Sequence, residues 1–273
     1  MNKIAFMFPG QGAQYTGMGR DFYETYDRAK EVFAIADKVS GMSMGELIFK
    51  ENEDLNVRKY TQVAMLTVEL AILKVLKEQG ITSCVNAGLS LGEYAAITAS
   101  GGLSVYDALA LVVKRGLFMQ EAVPTGGAMT AVMGLENEQI EAICAQTEGI
   151  VTVANYNCPG QTVISGEEFA VEKASQALKE AGAKRCMPLK VSGPFHSKML
   201  EGAGKKLAKE LAHVEIGELK TPYISNVTAE YVQEKEEVKG LLERQVSSSV
   251  RWQQSVERMI AEGVDGFIEI GPK

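Results

Sequence analysis

Two rhythms of apolar residues alternate along the chain, and together they predict an α/β fold. Ile4–Phe8 is a short continuous apolar run stopped by Pro9-Gly10, the pattern of a strand buried on both faces. From Asp21 to Lys38, apolar residues recur at Phe22, Tyr26, Ala29, Val32, Phe33 and Ile35, which is helical spacing. Gln62 to Gln79 predicts a second helix, stopped by Gly80. Residues 81–87 predict a strand, and Glu93 to Ser100 a helix directly after it. Ser104, with Asp107 three residues on, is the expected N-cap of a helix from Val105 to Glu121.

The texture changes at Pro124-Thr125-Gly126-Gly127. Beyond it the pattern predicts a strand (128–135), a helix (137–146), two strands (150–155 and 161–165) joined by Asn157-Cys158-Pro159-Gly160, a helix (167–181) and a strand (184–191). This β-α-β-β-α-β order is ferredoxin-like. Ser192-Gly193-Pro194 forms a second joint. The expected organisation is therefore a large unit, 1–124 and 193–273, with a small unit, 125–192, inserted into it. The large unit resumes with helices over 199–211, 239–246 and 253–261 and strands over 223–227 and 266–270. Strands alternating with helices predict a parallel sheet for this body.

Gly88-Leu89-Ser90-Leu91-Gly92 falls at the predicted strand-to-helix junction. A Gly-x-Ser-x-Gly sequence in that context matches a nucleophile elbow: the tight bend exposes the serine, and the helix N-terminus aims free N–H groups at the reacting centre. Its structural alternative is a turn with no chemistry. A serine needs a base, and the chain has two histidines. His196 lies in the loop at the second joint, where clefts form, and is the better candidate; the alternative is a loop histidine satisfied by backbone. His213 ends an ordinary helix. An oxyanion needs two aimed donors: the N–H of Leu91 is the expected first, and the Gly10-Gln11-Gly12 loop after the first strand is placed for the second, unless it is only a tight turn. Arg115 stands in a largely apolar helix. It is either a snorkelling side chain or a buried guanidinium set to grip a carboxylate.

Composition narrows the classes. The 273 residues are 46% hydrophobic and 23% charged, with a formal charge of −7 and no basic tail, which argues against nucleic-acid binding. No apolar run approaches the ~20 residues of a membrane span, and the N-terminal run is too short for a signal-peptide core. Four widely spaced cysteines fit neither a zinc site nor a disulfide framework, so the expectation is a cytoplasmic protein with reduced thiols and no metal.

Six ordered motifs resemble the bacterial malonyl-CoA:acyl-carrier-protein transacylases and the related acyltransferase domains of fatty-acid and polyketide synthases. They are Phe8-Pro9-Gly10-Gln11-Gly12, Gly88-Leu89-Ser90-Leu91-Gly92-Glu93-Tyr94, Arg115-Gly116-Leu117-Phe118-Met119-Gln120, Ala154-Asn155-Tyr156-Asn157-Cys158-Pro159-Gly160-Gln161, Pro194-Phe195-His196-Ser197, and Arg244-Gln245 with Glu269-Ile270-Gly271-Pro272. The resemblance implies an α/β-hydrolase-like large subdomain with a ferredoxin-like small one and the site between them. It makes Ser90 the acylated nucleophile and His196 its base, held by a backbone carbonyl at Gln245. It makes Gln11 and Leu91 the oxyanion donors and Arg115 the grip on a malonyl carboxylate. Phe195 resembles the malonyl-selective form of its loop, where an aromatic crowds a 2-methyl branch, an effect of ~1–3 kcal/mol.

The implied reaction is transfer of malonyl from malonyl-CoA to the phosphopantetheine thiol of acyl carrier protein, by a monomer with no permanently bound cofactor. Its alternatives are a polyketide acyltransferase with another extender unit, an acyl hydrolase, or a non-catalytic carrier-binding subunit. Lys184, Arg185, Lys190 and Lys198 are candidates for carrier docking, or simply solvated cations. Two departures stand out. Leu89 replaces a usual histidine, with the expected loss of a polar contact behind the elbow. The chain also stops at Lys273 where relatives usually continue, as expected of a truncated chain or a short member.

Overall fold

The computed structural model describes residues 3–189 and 193–272. In chain order its elements are β1 (Ile4–Phe8), α1 (Arg20–Thr25), α2 (Asp27–Ser40), α3 (Met44–Phe49), α4 (Arg58–Glu78), β2 (Val85–Gly88), α5 (Gly92–Ser100) and α6 (Val105–Ala122). Then follow β3 (Gly127–Met133), α7 (Asn137–Gln146), β4 (Val151–Cys158), β5 (Gln161–Glu167), α8 (Glu168–Glu180) and β6 (Arg185–Pro188). The chain closes with α9 (Glu201–Ala212), β7 (Tyr223–Ile224), β8 (Tyr231–Val232), α10 (Lys235–Gln245), α11 (Trp252–Ala261) and β9 (Gly266–Glu269).

Two sheets organise these elements. The first has the order β8-β7-β2-β1-β9. Its inner strands are parallel, with Ala5 beside Val85 and Phe267, and Asn86 beside Tyr223. Helices α2, α4, α5, α6, α9 and α10 pack over it around a large core that includes Phe6, Phe8, Leu66, Leu70, Tyr94 and Val112. The second sheet has the order β4-β5-β3-β6 and is antiparallel throughout. Helices α7 and α8 cover one face, closing a separate core around Val132, Ile164, Val171 and Leu178. This is the ferredoxin-like arrangement that the element order predicts. The two regions touch where Tyr156 N–H donates to the Val250 carbonyl (2.9 Å) and Val250 N–H to the Ala154 carbonyl (2.7 Å).

Several expectations need correction. The body is not purely parallel, because β8 pairs antiparallel with β7. The strand expected over 223–227 ends at Ile224; the chain turns through 225–230, with Ala229 at φ 56°, and returns as β8. The strand expected over 81–87 begins only at Val85, because β1 begins at Ile4 and gives the polar run 82–84 no ladder beyond the Cys84 N–H to Ile4 carbonyl bond. The helix expected over 21–38 is two helices, broken at Tyr26, whose backbone is extended. Asp27 then places a carboxylate on the new N-terminal dipole. The helix expected over 199–211 begins as a 3₁₀ turn, Lys198–Leu200. The far end of the strand expected over 184–191, residues 190 and 191, lies outside the described residues. Helix α6 starts as expected: Ser104 Oγ accepts from Asp107 N–H at 3.0 Å.

Candidate active site

The bend between β2 and α5 is enforced by contact. A Cβ on Gly88 would lie 2.0 Å from the Gly92 carbonyl, and a Cβ on Gly92 would lie 2.3 Å from the Phe8 carbonyl oxygen, so neither position admits a side chain. Ser90 sits between them at φ 54°, a left-handed conformation unusual for a serine. Asn226 braces that conformation from the turn after β7: its Oδ1 accepts from Ser90 N–H (2.6 Å) and its Nδ2 donates to the Gly88 carbonyl (2.7 Å).

His196 comes from the loop that returns from the small sheet. It is buried, 3% exposed, and is also left-handed, at φ 55°. Its Nε2 lies 2.8 Å from Ser90 Oγ. Its Nδ1 faces the carbonyl oxygens of Gln245 (2.9 Å) and Ser248 (3.1 Å). Carbonyls only accept, so Nδ1 carries the proton and Nε2 is left to accept from the serine. Burial, reinforced by the nearby Arg115, lowers the His196 pKa to about 4 against two opposing carbonyl contacts, so the imidazole is neutral at neutral pH.

Arg115 is 1% exposed, so its guanidinium is buried rather than snorkelling. Its NH1 donates to Gln62 Oε1 (2.7 Å), and its NH2 to Ser90 Oγ (3.0 Å) and Gln245 Oε1 (3.1 Å). The ring of Tyr94 lies under it, 5.7 Å from centroid to Cζ. Among the described residues no carboxylate forms an ion pair with it. Glu93 is close but reaches it only through Gln245, whose Nε2 donates to Glu93 Oε2 at 2.6 Å. Burial raises Glu93 to about 7, partly offset by the donors from Gln245 and Asn226 and by Arg115.

These groups open onto a cavity of about 630 Å³, lined by Gln11, Leu91, Ser90, Arg115, Phe195 and His196 among others. The N–H groups of Gln11 and Leu91 have no internal acceptor among the described residues. Met129, Val163, Leu189, Asn155 and Asn157 form the wall contributed by the small sheet. Phe195 packs against the cores of both regions. Leu89 also faces the cavity, and its N–H donates to the Phe8 carbonyl (3.0 Å). A serine hydroxyl 2.8 Å from a neutral imidazole and 3.0 Å from a buried guanidinium is an arrangement suited to acyl transfer from a carboxylated donor.

Sequence comparison decides the family: residues 5–273 match the family described as "Acyl transferase domain". The chain belongs to the acyl transferase family. It is 48% identical to the malonyl CoA-acyl carrier protein transacylase of Bacillus subtilis over 277 residues, spanning 100% of this chain and 87% of that protein. Among solved structures it is similar to an acyl carrier protein S-malonyltransferase from Vibrio cholerae, with a TM-score of 0.97 and 43% identity over 99% of this chain and 90% of that one. It is also similar to a complex of a type II PKS acyl-carrier protein with its malonyl-transacylase (TM-score 0.96, 40% identity, 99% and 89% covered).

The sequence-predicted site residues of this acyltransferase therefore meet in one cavity: Ser90, His196, Gln11, Leu91, Arg115 and Phe195 line it, and Gln245 stands behind it. His213 is exposed at the end of α9, away from this group. Lys184, Arg185 and Lys198 are exposed; Lys190 lies outside the described residues. Sequence reasoning missed Gln62, Asn226, Glu93 and Ser248. Gln62 alone had a signal, an amide in a strongly apolar helix that faces another apolar helix carrying a lone arginine.

Proposed function

We propose that this acyltransferase moves a malonyl group from malonyl-CoA to the phosphopantetheine thiol of acyl carrier protein, through a malonyl ester on Ser90. One observation carries the reading: the buried Arg115 guanidinium, 3.0 Å from Ser90 Oγ, has no carboxylate partner of its own among the described residues. An unpaired buried cation is costly, and a substrate carboxylate relieves that cost. The names of the relatives support the same substrate and carrier.

In the first half-reaction Arg115 holds the malonyl carboxylate and His196 Nε2 takes the Ser90 hydroxyl proton. Ser90 Oγ attacks the thioester carbonyl, and the Gln11 and Leu91 N–H groups receive the oxyanion. The C–S bond breaks, His196 returns the proton to the departing sulfur, and coenzyme A leaves as a thiol. In the second half the carrier's thiol gives its proton to His196 and attacks the ester. The serine regains its proton as malonyl leaves on the new thioester.

We read 1–124 with 193–273 as one unit and 125–192 as the other; two separate sheets and cores support that division. The reading carries with it a monomeric cytoplasmic enzyme of fatty-acid synthesis with no resident cofactor, its cysteines free. Among the described residues, no helix is long and apolar enough to cross a membrane. The likeness to the type II PKS complex supports a second reading, in which the carrier serves polyketide synthesis. Comparing kcat/KM for a fatty-acid carrier and a polyketide carrier separates the two.

The deciding experiment is intact-mass measurement after incubation with malonyl-CoA. The wild type is expected to gain one malonyl group, mapped to Ser90, and Ser90→Ala to gain none. An unlabelled wild type, or an adduct that survives Ser90→Ala, overturns the proposal.

A further inference from the structure

Glu93 stands behind the reacting groups and has no step in the transfer. It is the second residue of α5, its side chain is fully buried, and the groups bonded to it are donors. Its Oε2 accepts from Gln245 Nε2 (2.6 Å), and its Oε1 from the Asn226 main-chain N–H (3.3 Å).

The two residues it grips are those that hold the chemistry in place. Gln245 Nε2 also donates to the Ser90 carbonyl (2.7 Å), its Oε1 accepts from Arg115, and its main-chain oxygen accepts from His196 Nδ1. Asn226 ties the Ser90 N–H to the Gly88 carbonyl. Ser90, His196 and Arg115 arrive from α5's N-terminus, a loop and α6, and each is one contact away from a partner of Glu93. Both oxygens of Glu93 serve as acceptors here, a role its ionised form fills with no competing donor. An amide of the same size would turn a donor toward one of the two donors already there.

We propose that Glu93 is a positioning residue, whose carboxylate locks Gln245 and Asn226 and through them sets the spacing of Ser90, His196 and Arg115 for acyl transfer. The claim deepens the malonyl-transfer reading and rests on it for its substrate. Reacting groups displaced by about 1 Å lose on the order of a hundredfold in rate.

The test is a cycle of Glu93→Gln, Gln245→Leu and the double variant in the full chain, with two readouts. One is the rate of malonyl-enzyme formation in a single turnover. The other is the rate at which phenylmethanesulfonyl fluoride labels Ser90, which reports on the serine–histidine pair without malonyl-CoA. Urea unfolding midpoints accompany both. Glu93→Gln is expected to be folded and slower by about tenfold to a hundredfold in both rates. The double variant is expected to be no slower than the slower single, because both changes cut one linkage.

Wild-type rates in Glu93→Gln, or losses that multiply in the double variant, overturn the proposal. Should Glu93→Gln fail to fold, Glu93→Asp decides in its place, since the shorter side chain withdraws the carboxylate from both donors and leaves Gln245 and Asn226 unchanged: a loss in both rates supports the proposal and wild-type rates overturn it. A wild type that takes the sulfonyl label but no malonyl sinks the malonyl reading. The positioning claim then stands or falls on the labelling rates.

Discussion

The two sheets of this enzyme bury different kinds of side chain. Around the parallel sheet lie the buried charged and titratable groups Glu69, Glu93, Arg115 and His196, together with the amides Gln62, Asn226 and Gln245. Among the described residues of the antiparallel unit, the buried polar side chains are Thr130, Asn155, Thr162 and Ser165, with the thiol of Cys144 and the phenol of Tyr156, and none is a carboxylate, a histidine or a basic group. A long-range core around α4, α5 and α6 can afford to hold ions and amides in fixed places; a four-stranded sheet with two helices presents a surface. Ser90, Arg115 and His196 come from the first region, and the second adds one wall of the cavity they line.

That contrast is open to attack, beginning with the largest effect. His196→Ala is expected to slow malonyl-enzyme formation by about a thousandfold, since it removes the proposed general base. A smaller loss than that seen for any wall residue would erase the distinction. Arg115→Ala is expected to cost about tenfold to a hundredfold in kcat/KM for malonyl-CoA, the worth of charged hydrogen bonds, and to spare acetyl-CoA. Equal losses on the two substrates would remove the carboxylate grip.

The same variant has a pH signature. Burial is the first cause of the low His196 pKa and the positive charge of Arg115 the second. Removing the cation leaves burial in place and raises that pKa from about 4, so the acidic limb of the pH–rate profile moves to higher pH. A limb that stays put or moves to lower pH contradicts the electrostatic account. Smallest of all, Asn157→Ala on the wall is expected to raise KM for malonyl-CoA by about threefold to tenfold, one neutral hydrogen bond, with kcat preserved. A collapse of kcat instead would give the small unit a share of the chemistry.

Local signals carried the fold a long way. Ser104 with Asp107, the Gly88 to Gly92 bend and the β-α-β-β-α-β order each depend on neighbours in the sequence, and each is present. What escaped depends on neighbours in space. Val227 reads as the end of a strand, yet the chain leaves the ladder after Ile224 so that Asn226 can reach the elbow. Gln62 reads as the start of a helix whose first turn begins at 58, and only the fold brings it to Arg115. Arg115 itself was open to two readings, because a helix pattern tells which face a residue takes and not whether that face is sealed. Glu93 is part of the elbow motif, but its role is visible only once Gln245 and Asn226, more than a hundred residues away, are beside it.

Ser90 and His196 share a left-handed backbone twist that residues other than glycine avoid, at about 1–3 kcal/mol each. A return of either φ to negative values would re-aim a side chain on which the 2.8 Å Ser90–His196 contact depends. The crevice is thus cocked: local backbone strain, offset by braces such as the Asn226 side chain, is the condition under which the two side chains meet.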